Sequence, residues 1–298
     1  VLPKLEQLQS LLRGCGRTLV AYSGGVDSAF LAKAAGDVLG KDALAVIADT
    51  PSLPRRELDE ALELGRRFGF AVRVVPTDEL NNPDYTSNPA NRCYFCKSEL
   101  FDKLAVLAKA EGWQTIVYGE NADDAGDFRP GAQAAREFQV RAPLKEVHLT
   151  KAEIRALSAE LGLPTADKPA MACLSSRIPY GEPVTAEALA MIESAENILR
   201  DLGFHDVRVR HHTMGNPKSE AESARHAEQI RNPKSLLARI EVGPAELGRF
   251  FANGLRDEVI DALRRIGYTY VTVDLAGYRR GSSNETLTNL KPHKKEQS

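Results

Sequence analysis

No apolar run in this chain approaches the roughly 20 residues that a membrane-spanning helix needs, so no membrane segment is expected. The opening Val-Leu-Pro-Lys-Leu-Glu lacks the basic-then-apolar layout of a signal peptide, and a cytoplasmic location follows as an expectation. Charge of one sign is not in excess either. The 39 Lys and Arg residues against 41 Asp and Glu leave a net charge of −2, which argues against a broad electrostatic grip on nucleic acid, though a local patch is compatible with it. Cysteine is scarce, with only Cys15, Cys93, Cys96 and Cys173. In a reducing compartment disulfides are not expected, and a Cys-x-x-Cys pair more often binds metal or takes part in chemistry. What is present is ordinary for a globular protein, 43% hydrophobic and 27% charged residues. A length of 298 residues allows roughly two domains.

The rest of the chain is organised around residues 18–28, Thr-Leu-Val-Ala-Tyr-Ser-Gly-Gly-Val-Asp-Ser. The apolar run Thr18–Tyr22 predicts a buried parallel strand. Ser23-Gly24-Gly25 breaks it, and Phe30, Leu31 and Ala34 at helical spacing predict a helix starting near Asp27 or Ser28. A strand, a glycine turn and a helix N-terminus form an anion site, because the glycines admit close backbone approach and the first-turn N–H groups point at the ligand. Ser23 and Ser28 add hydroxyl donors. Two adjacent glycines alone would suit a ligand-free turn. The full Ser-Gly-Gly-Val-Asp-Ser string is neither a Walker A sequence nor a dinucleotide fingerprint. It resembles the pyrophosphate loop (PP-loop) of ATP pyrophosphatases, enzymes that adenylate a substrate and release pyrophosphate.

Taken in order, residues 1–16 predict an amphipathic helix with Leu5, Leu8, Leu11 and Leu12 on one side, ending at Cys15, which reads as a small buried residue. Further strands are predicted at 43–47, 72–75 and 115–118, with helices at 28–39, at 54–68 and from Cys93–Cys96 to about 111; residues 78–92 read as loop. Strands alternating with helices mean a parallel sheet covered on both faces, with ligands at the carboxyl ends of its strands. That rule gathers Ser23, Gly24, Gly25, Asp27, Ser28, Asp49, Gly119 and Asn121 along one edge, where ATP is expected. The string Asn121-Ala-Asp123-Asp124-Ala-Gly126-Asp127 brings three carboxylates together, either as a solvated loop or as a place for Mg²⁺, a hard cation; opposite a nucleotide loop the second is favoured, with Asp124 and Asp27 as its expected ligands. Thr150-x-x-Glu153 is a capping box that opens a helix. Beyond a loop at 164–183 the pattern changes to a helix over 185–202, strands at 207–209 and 238–242, a helix over 255–266 and a strand over 268–275. The expected fold class is α/β: a PP-loop ATP pyrophosphatase domain over 1–180, a smaller α+β domain over 181–288 with a loop or helical insertion at 211–236, and a polar tail at 289–298. The insertion holds the tetrapeptide Asn-Pro-Lys-Ser twice, too little to mark a repeat architecture.

Cys93 and Cys96 stand at a predicted helix start, where the dipole favours thiolate, and Cys173 lies in the loop that opens the second half. Three readings compete. The cysteines are unrelated buried residues; they form a structural zinc site, which wants four ligands; or they hold an iron–sulfur cluster by thiolate ligation, with one iron left open. Cys-x-x-Cys beside Lys97 at the end of a polar loop is a poor core segment, which weakens the first reading; only Cys15 or a His could complete a zinc set; the third is favoured.

With Ser23–Ser28, Asn121–Gly131, Ala172-Cys173-Leu-Ser-Ser-Arg177-Ile-Pro-Tyr-Gly181 and Val273-Asp274-Leu-Ala-Gly277-Tyr278-Arg279 in view, the chain resembles the LarE family over residues 5–288. The resemblance implies an ATP-dependent sulfur transferase of nickel-pincer nucleotide synthesis. It would adenylate the carboxylates of pyridinium-3,5-biscarboxylic acid mononucleotide and convert them to thiocarboxylates. Cys173 falls on the family's sulfur cysteine. In one branch that cysteine gives up its own sulfur and becomes dehydroalanine; in another, three cysteines hold a 4Fe-4S cluster carrying sulfide. The presence of Cys93 and Cys96 points to the cluster branch. By the same resemblance Arg208 and Arg210 lie near the substrate phosphate, with Glu196 and Glu241 as their polar partners. Arg-x-Arg on a strand places both guanidinium groups on one face, which suits a phosphate; an exposed strand face is the competing reading. The insertion at 211–236 departs from the family pattern. ATP, Mg²⁺ and a 4Fe-4S cluster are the implied cofactors. A small nucleotide substrate, self-association and hand-off to other proteins of the same synthesis are the implied partnerships, with no nucleic acid and no membrane. The rivals are a PP-loop tRNA thiolase, for which no RNA-binding module is visible, an amidating synthetase, for which no glutaminase stretch is visible, and a non-catalytic metal-binding module.

Overall fold

The computed structural model describes residues 2–124, 130–169, 172–214, 235–252 and 254–279. The chain divides into two compact units, Val1–Cys173 and Leu174–Ser298. Asp127 of the acidic string, the first Asn-Pro-Lys-Ser copy, the second copy except for Ser235, and the 289–298 tail lie outside the described residues.

In the first unit the strands β1 (Thr18–Tyr22), β2 (Ala43–Asp49), β3 (Val72–Pro76) and β4 (Thr115–Tyr118) form one parallel sheet in the order β3-β2-β1-β4. The register Thr18↔Ala43 and Thr18↔Thr115 places β1 between two partners. All five residues of β1 are buried, as its unbroken apolar run requires of a strand covered on both faces. Helices α1 (Leu2–Arg13), α2 (Val26–Leu39), α3 (Arg55–Phe68), α4 (Pro83–Thr86), α5 (Arg92–Glu111), α6 (Pro130–Glu137), α7 (Pro143–Glu146) and α8 (Lys151–Glu160) surround the sheet. Leu8, Leu12, Phe30, Leu31 and Ile47 pack into one core layer and Leu19, Val46, Phe101 and Leu104 into another. Each fully buried side chain of this kind contributes about 1.5–3 kcal/mol.

Two local expectations need correcting. The 78–92 stretch is not loop throughout: it carries a 3₁₀ turn at Glu79–Asn81 and the one-turn helix α4, started by Asn82, whose side chain accepts from the Asp84 amide, and by Pro83. Helix α2 begins at Val26, slightly earlier than the apolar spacing suggests.

The second unit has α9 (Ala186–Asp201), β5 (Arg208–Met214), β6 (Ser235–Glu241), α10 (Leu255–Ile266) and β7 (Tyr270–Val273). Its sheet runs β5-β6-β7, with β5 and β6 antiparallel and β6 and β7 parallel. The pairing continues to Met214↔Ser235, so the first residues assigned to the insertion, 211–214, and the last, 235–236, belong to strands. The polar character of His211-His212-Thr213 hides a strand that β6 extends by backbone pairing. Leu199, Phe204, Val209, Ile240, Phe250 and Leu263 form the core, with Phe204 stacked on Phe250 at 4.7 Å.

Candidate active site

The Ser23–Ser28 turn leaves β1 at its carboxyl end and enters α2. Gly24 has φ +71, which disfavours any side chain, and a Cβ there would sit 3.1 Å from Cβ of Ala61 on α3. Ser28 holds the turn together: its Oγ accepts from the Ser23 amide at 3.1 Å, donates to the Gly25 carbonyl at 3.2 Å and lies 3.0 Å from Ser23 Oγ. Gly25 caps α2 without a side-chain bond to the first turn, so the opening amides of a 14-residue helix keep their capacity for an anion. Ser23 is exposed and Ser28 buried; the two serines therefore differ, one facing solvent and one shaping the loop.

Gly119 follows β4 and meets this turn. A Cβ at Gly119 would lie 2.8 Å from the Ser28 backbone nitrogen and 3.0 Å from the Asp27 carbonyl carbon. Only glycine allows the end of β4 to come this close to the start of α2. Asn121 and the acids after it fold on themselves: Asn121 N–H donates to Asp124 Oδ2 at 3.2 Å, and Asp123 N–H donates to Asn121 Oδ1 at 2.9 Å.

Lys151, the first residue of α8, joins the two halves of this corner. Its Nζ donates to Asp27 Oδ2 at 2.6 Å, and its backbone N–H donates to Asp123 Oδ2 at 2.8 Å. The capping box places it there: Thr150 Oγ1 accepts from the Glu153 amide, and Glu153 accepts from the Thr150 amide at 2.9 Å. The sequence signal is visible as a helix start, but nothing in it shows which loop that helix end will face. The other oxygen of Asp27, Oδ1, is buried and has no hydrogen-bond partner among the described residues. A carboxylate oxygen in that state suits a cation, and Lys151 Nζ already takes a cation's place on its neighbour.

A cavity of ≈ 510 Å³ opens against the same loop. It is lined by Gly24, by Ala61, Leu64 and Arg67 of α3, and by Thr165 and Lys168. Gly24 alone among the predicted ATP residues borders it, so the first-turn amides of α2 lie outside its lining.

Cys93 and Cys96 lie at the same edge of the sheet. Helix α5 starts after β3 on the carboxyl side and returns to the amino side, where Thr115 pairs with Thr18. Cys93 and Cys96 sit in its first turns. Lys97, next to Cys96 in the helix, has its Nζ 5.4 Å from the ring of Tyr118 at the end of β4. All four cysteines are reduced thiols. Cys93 reaches solvent, yet its surroundings desolvate it, and burial first and Cys173 second push its pKa up against the pull of Arg92 and Lys97. The Cys96 thiol is pushed up by burial, then by Glu79, Cys173 and Cys93, with Lys97 opposing. Cys173 is thus within electrostatic reach of both members of the Cys-x-x-Cys pair. Cys15 stands apart: it is buried, and Arg141 Nη1 approaches its sulfur at 3.3 Å. Among the described residues no group of three or more His, Cys, Asp or Glu side chains is arranged to hold a metal ion.

The arginine cluster belongs to the second unit. Arg208 and Arg210 are buried, not an exposed strand face. Arg210 is engaged by Glu241 in a two-pronged pair at 3.0 and 2.8 Å and donates to the Ser176 carbonyl at 2.9 Å. Glu196, fully buried, accepts from Arg177 Nε at 2.8 Å and Nη2 at 3.1 Å, from Arg200 at 3.0 Å and from the Val209 amide at 3.1 Å. Burial would raise the Glu196 pKa, but Arg177, then Arg200 and Arg208, outweigh it and hold the carboxyl below its ordinary range. Arg208 stacks on Tyr278 at 4.9 Å and donates to the Val207 carbonyl at 2.7 Å. It makes no ion pair among the described residues, and burial and the nearby Arg177 lower its pKa. In the sequence Arg177 and Tyr278 stand out only as members of longer strings; their partners, Glu196 and Arg208, are distant along the chain.

No protein-family model matches the chain. It is 45% identical over 285 residues to the uncharacterized protein slr1717 of Synechocystis sp., covering 96% of this chain and 98% of that one. It is 35% identical over 286 residues to the pyridinium-3,5-bisthiocarboxylic acid mononucleotide synthase of Lactiplantibacillus plantarum, covering 96% and 95%. A more distant similarity, 28% over 177 residues and 54% of each chain, connects it to a glutamine-hydrolyzing GMP synthase component of Methanococcus vannielii.

Proposed function

The chain belongs to the pyridinium-3,5-bisthiocarboxylic acid mononucleotide synthase family, and from that premise we propose that it is an ATP-dependent sulfur transferase that adenylates a pyridinium carboxylate and replaces the adenylate with sulfur. The parallel α/β sheet with its Ser-Gly-Gly-Val-Asp-Ser loop is of the PP-loop type that the GMP synthase relatives share. No helix among the described residues is long and apolar enough to cross a membrane.

The observation that supports the reading is the shared edge: the helix start with uncapped amides follows the carboxyl end of β1, and the Cys93–Cys96 turn opens α5 on the same side of the sheet. A carboxylate is a poor electrophile because its leaving group would be oxide. In the proposed first step a substrate carboxylate oxygen attacks the α-phosphorus of ATP. That P–O bond forms, the bond to the β-phosphate oxygen breaks, and pyrophosphate leaves. Ser23, Gly24, Gly25 and the α2 amides bind the departing phosphates, whose charge is greatest as they leave. Asp27 Oδ1 and Asp124 would hold Mg²⁺, which offsets polyphosphate charge, and Lys151 keeps the Asp27 carboxylate oriented. In the second step sulfur bonds to the acyl carbon and AMP departs.

The donor chemistry at Cys93, Cys96 and Cys173 fits a 4Fe-4S cluster. The ionisation of Cys93 and Cys96 is opposed by burial and by the neighbouring thiols, and a cationic centre placed beside them would favour it. These three residues would hold the cluster, which when bound supplies the sulfur. In the second unit Arg208 is the guanidinium left for the substrate phosphate, while Glu196 and Glu241 keep Arg177 and Arg210 in place around it. Self-association and hand-off of the thiolated product belong to the same proposal.

The test is twofold. Anaerobically reconstituted protein with ATP, Mg²⁺ and sulfide is expected to form thiocarboxylate over many turnovers and to catalyse ATP–pyrophosphate exchange. Asp27→Asn should lower the exchange by about 10²-fold, while Cys173→Ala should abolish thiolation and leave exchange intact. Loss of exchange in Cys173→Ala, or a single turnover that leaves dehydroalanine at position 173, would overturn the cluster form of the reading.

A further inference from the structure

The polar stretch 78–92 buries three side chains that its composition would leave in water: Tyr85 is 1% exposed, Asn88 0% and Arg92 4%. A buried hydroxyl, amide or guanidinium is costly unless it is hydrogen-bonded. These three are bonded in series, and the series has two well-defined ends.

One end is the exit of β2. The Tyr85 hydroxyl, on α4, lies 2.5 Å from Oγ of Ser52, which is buried as well. Ser52 N–H donates to Thr50 Oγ1 at 3.1 Å, and the Thr50 carbonyl accepts from Leu53 N–H at 3.0 Å and from Arg55 Nη2 at 2.7 Å. Thr50 is the residue that follows β2, so Tyr85 is tied to the carboxyl end of that strand. The other end is the start of α5. The Tyr85 carbonyl accepts from Asn88 N–H at 3.0 Å, Asn88 Oδ1 accepts from Arg92 Nη1, and Arg92 N–H donates to the Pro89 carbonyl at 2.9 Å. Asn88 has φ +56, a left-handed conformation that Asn adopts more readily than most residues. It therefore makes the turn and receives the guanidinium at once. Arg92 opens α5, and Cys93 is the next residue.

We infer that Tyr85 is a positioning residue for sulfur transfer: through Ser52 on one side and Asn88–Arg92 on the other it braces the Cys93–Cys96 turn against the carboxyl end of β2, the edge assigned to the nucleotide. The inference rests on the proposed function and deepens it. Hydrogen bonds weaken steeply with distance and angle, so a buried run of them fixes the gap between strand end and helix start more narrowly than apolar packing of so short a segment. Sulfur carried by the cysteine turn has to meet an acyl carbon activated at the nucleotide edge. A small displacement of that turn slows the transfer, while adenylation, which needs no thiol, proceeds.

The experiment uses the full chain and the variants Tyr85→Phe, Ser52→Ala and the double substitution, with thermal melting to confirm that each folds. Tyr85→Phe keeps the ring and removes only the hydroxyl. In the reconstituted proteins each single variant should thiolate about tenfold more slowly, and ATP–pyrophosphate exchange should stay within about twofold of the unaltered chain. The double variant should be no slower than either single one, because both remove the same bond. Before reconstitution, alkylation of Cys93 by iodoacetamide, read by mass spectrometry, should speed up about tenfold in all three variants as the turn loosens. Thiolation and exchange falling in equal proportion would overturn the positioning role and leave Tyr85 a stabilising residue only. Neither exchange nor thiolation in the unaltered chain would sink the proposed function instead. The alkylation rates would still decide the brace, and equal rates in all four proteins would overturn it.

Discussion

At the edge of the first unit's sheet, buried acids stand with open valence: Asp27 Oδ1 and both oxygens of Glu79 have no hydrogen-bond partner among the described residues. In the second unit the buried acids are saturated. Glu196 holds Arg177 and Arg200 and accepts a backbone amide; Glu241 holds Arg210 and is approached by Arg239 at 3.1 Å. The two regions solve different problems. Open oxygens cost stability, a cost that an arriving cation would offset. Saturated carboxylates fix the geometry of Arg177 and Arg210 around Arg208, which the proposed function assigns to the substrate phosphate.

The comparison can be broken most directly at Glu196. Glu196→Gln leaves Arg177 buried beside a neutral amide, and the Leu174–Ser298 unit should lose about 3–5 kcal/mol, read by chemical denaturation with a probe in that unit. Because the folded-state pKa of Glu196 is depressed, its contribution is complete above the ordinary glutamate range and disappears as pH falls through the folded value. The unaltered chain should therefore lose stability on acidification, and Glu196→Gln should show a flatter acid limb. An unchanged midpoint would mean that the charges do not act on one another as described.

A smaller effect is expected at Gly119. The methyl of Gly119→Ala would press on the Ser28 nitrogen, costing about 1–3 kcal/mol and displacing the loop, so ATP binding by calorimetry should weaken together with stability. Stability that falls with ATP affinity untouched would separate the loop from the nucleotide. The smallest is at Thr150. Loss of the cap in Thr150→Ala should cost about 1 kcal/mol, and because the cap positions Lys151 against Asp27 and Asp123, ATP–pyrophosphate exchange should fall more than stability alone explains.

Much of the architecture is legible in the residues themselves. The apolar run 18–22, its glycine break and the alternation of strands with amphipathic helices predict a parallel α/β sheet, because strand and helix periods differ and crossover connections leave few alternatives. Where the structure departs from expectation, the signal is weak for a physical reason. The 78–92 stretch is polar and aperiodic, so its short helical turns carry no hydrophobic signature. His211–Met214 extends β5 through backbone pairing, which side-chain patterning does not report.

The candidate site divides along the same line. Residues whose roles depend on neighbours in sequence can be named directly: Ser23 to Ser28 around a helix start, Cys93 and Cys96 one turn apart, Thr150 and Glu153 reciprocally capped. Their chemistry follows from backbone geometry within a few residues. Lys151 against Asp27, Arg177 against Glu196 and Tyr278 under Arg208 cannot be named that way, since each pair is separated by many residues and meets only where elements pack. Sequence alone determined the fold class and the local motifs, because hydrogen bonding and hydrophobic period act over short range. Only the tertiary structure decided which charges are answered and which remain open, because burial and Coulombic partnership depend on what the rest of the chain brings alongside.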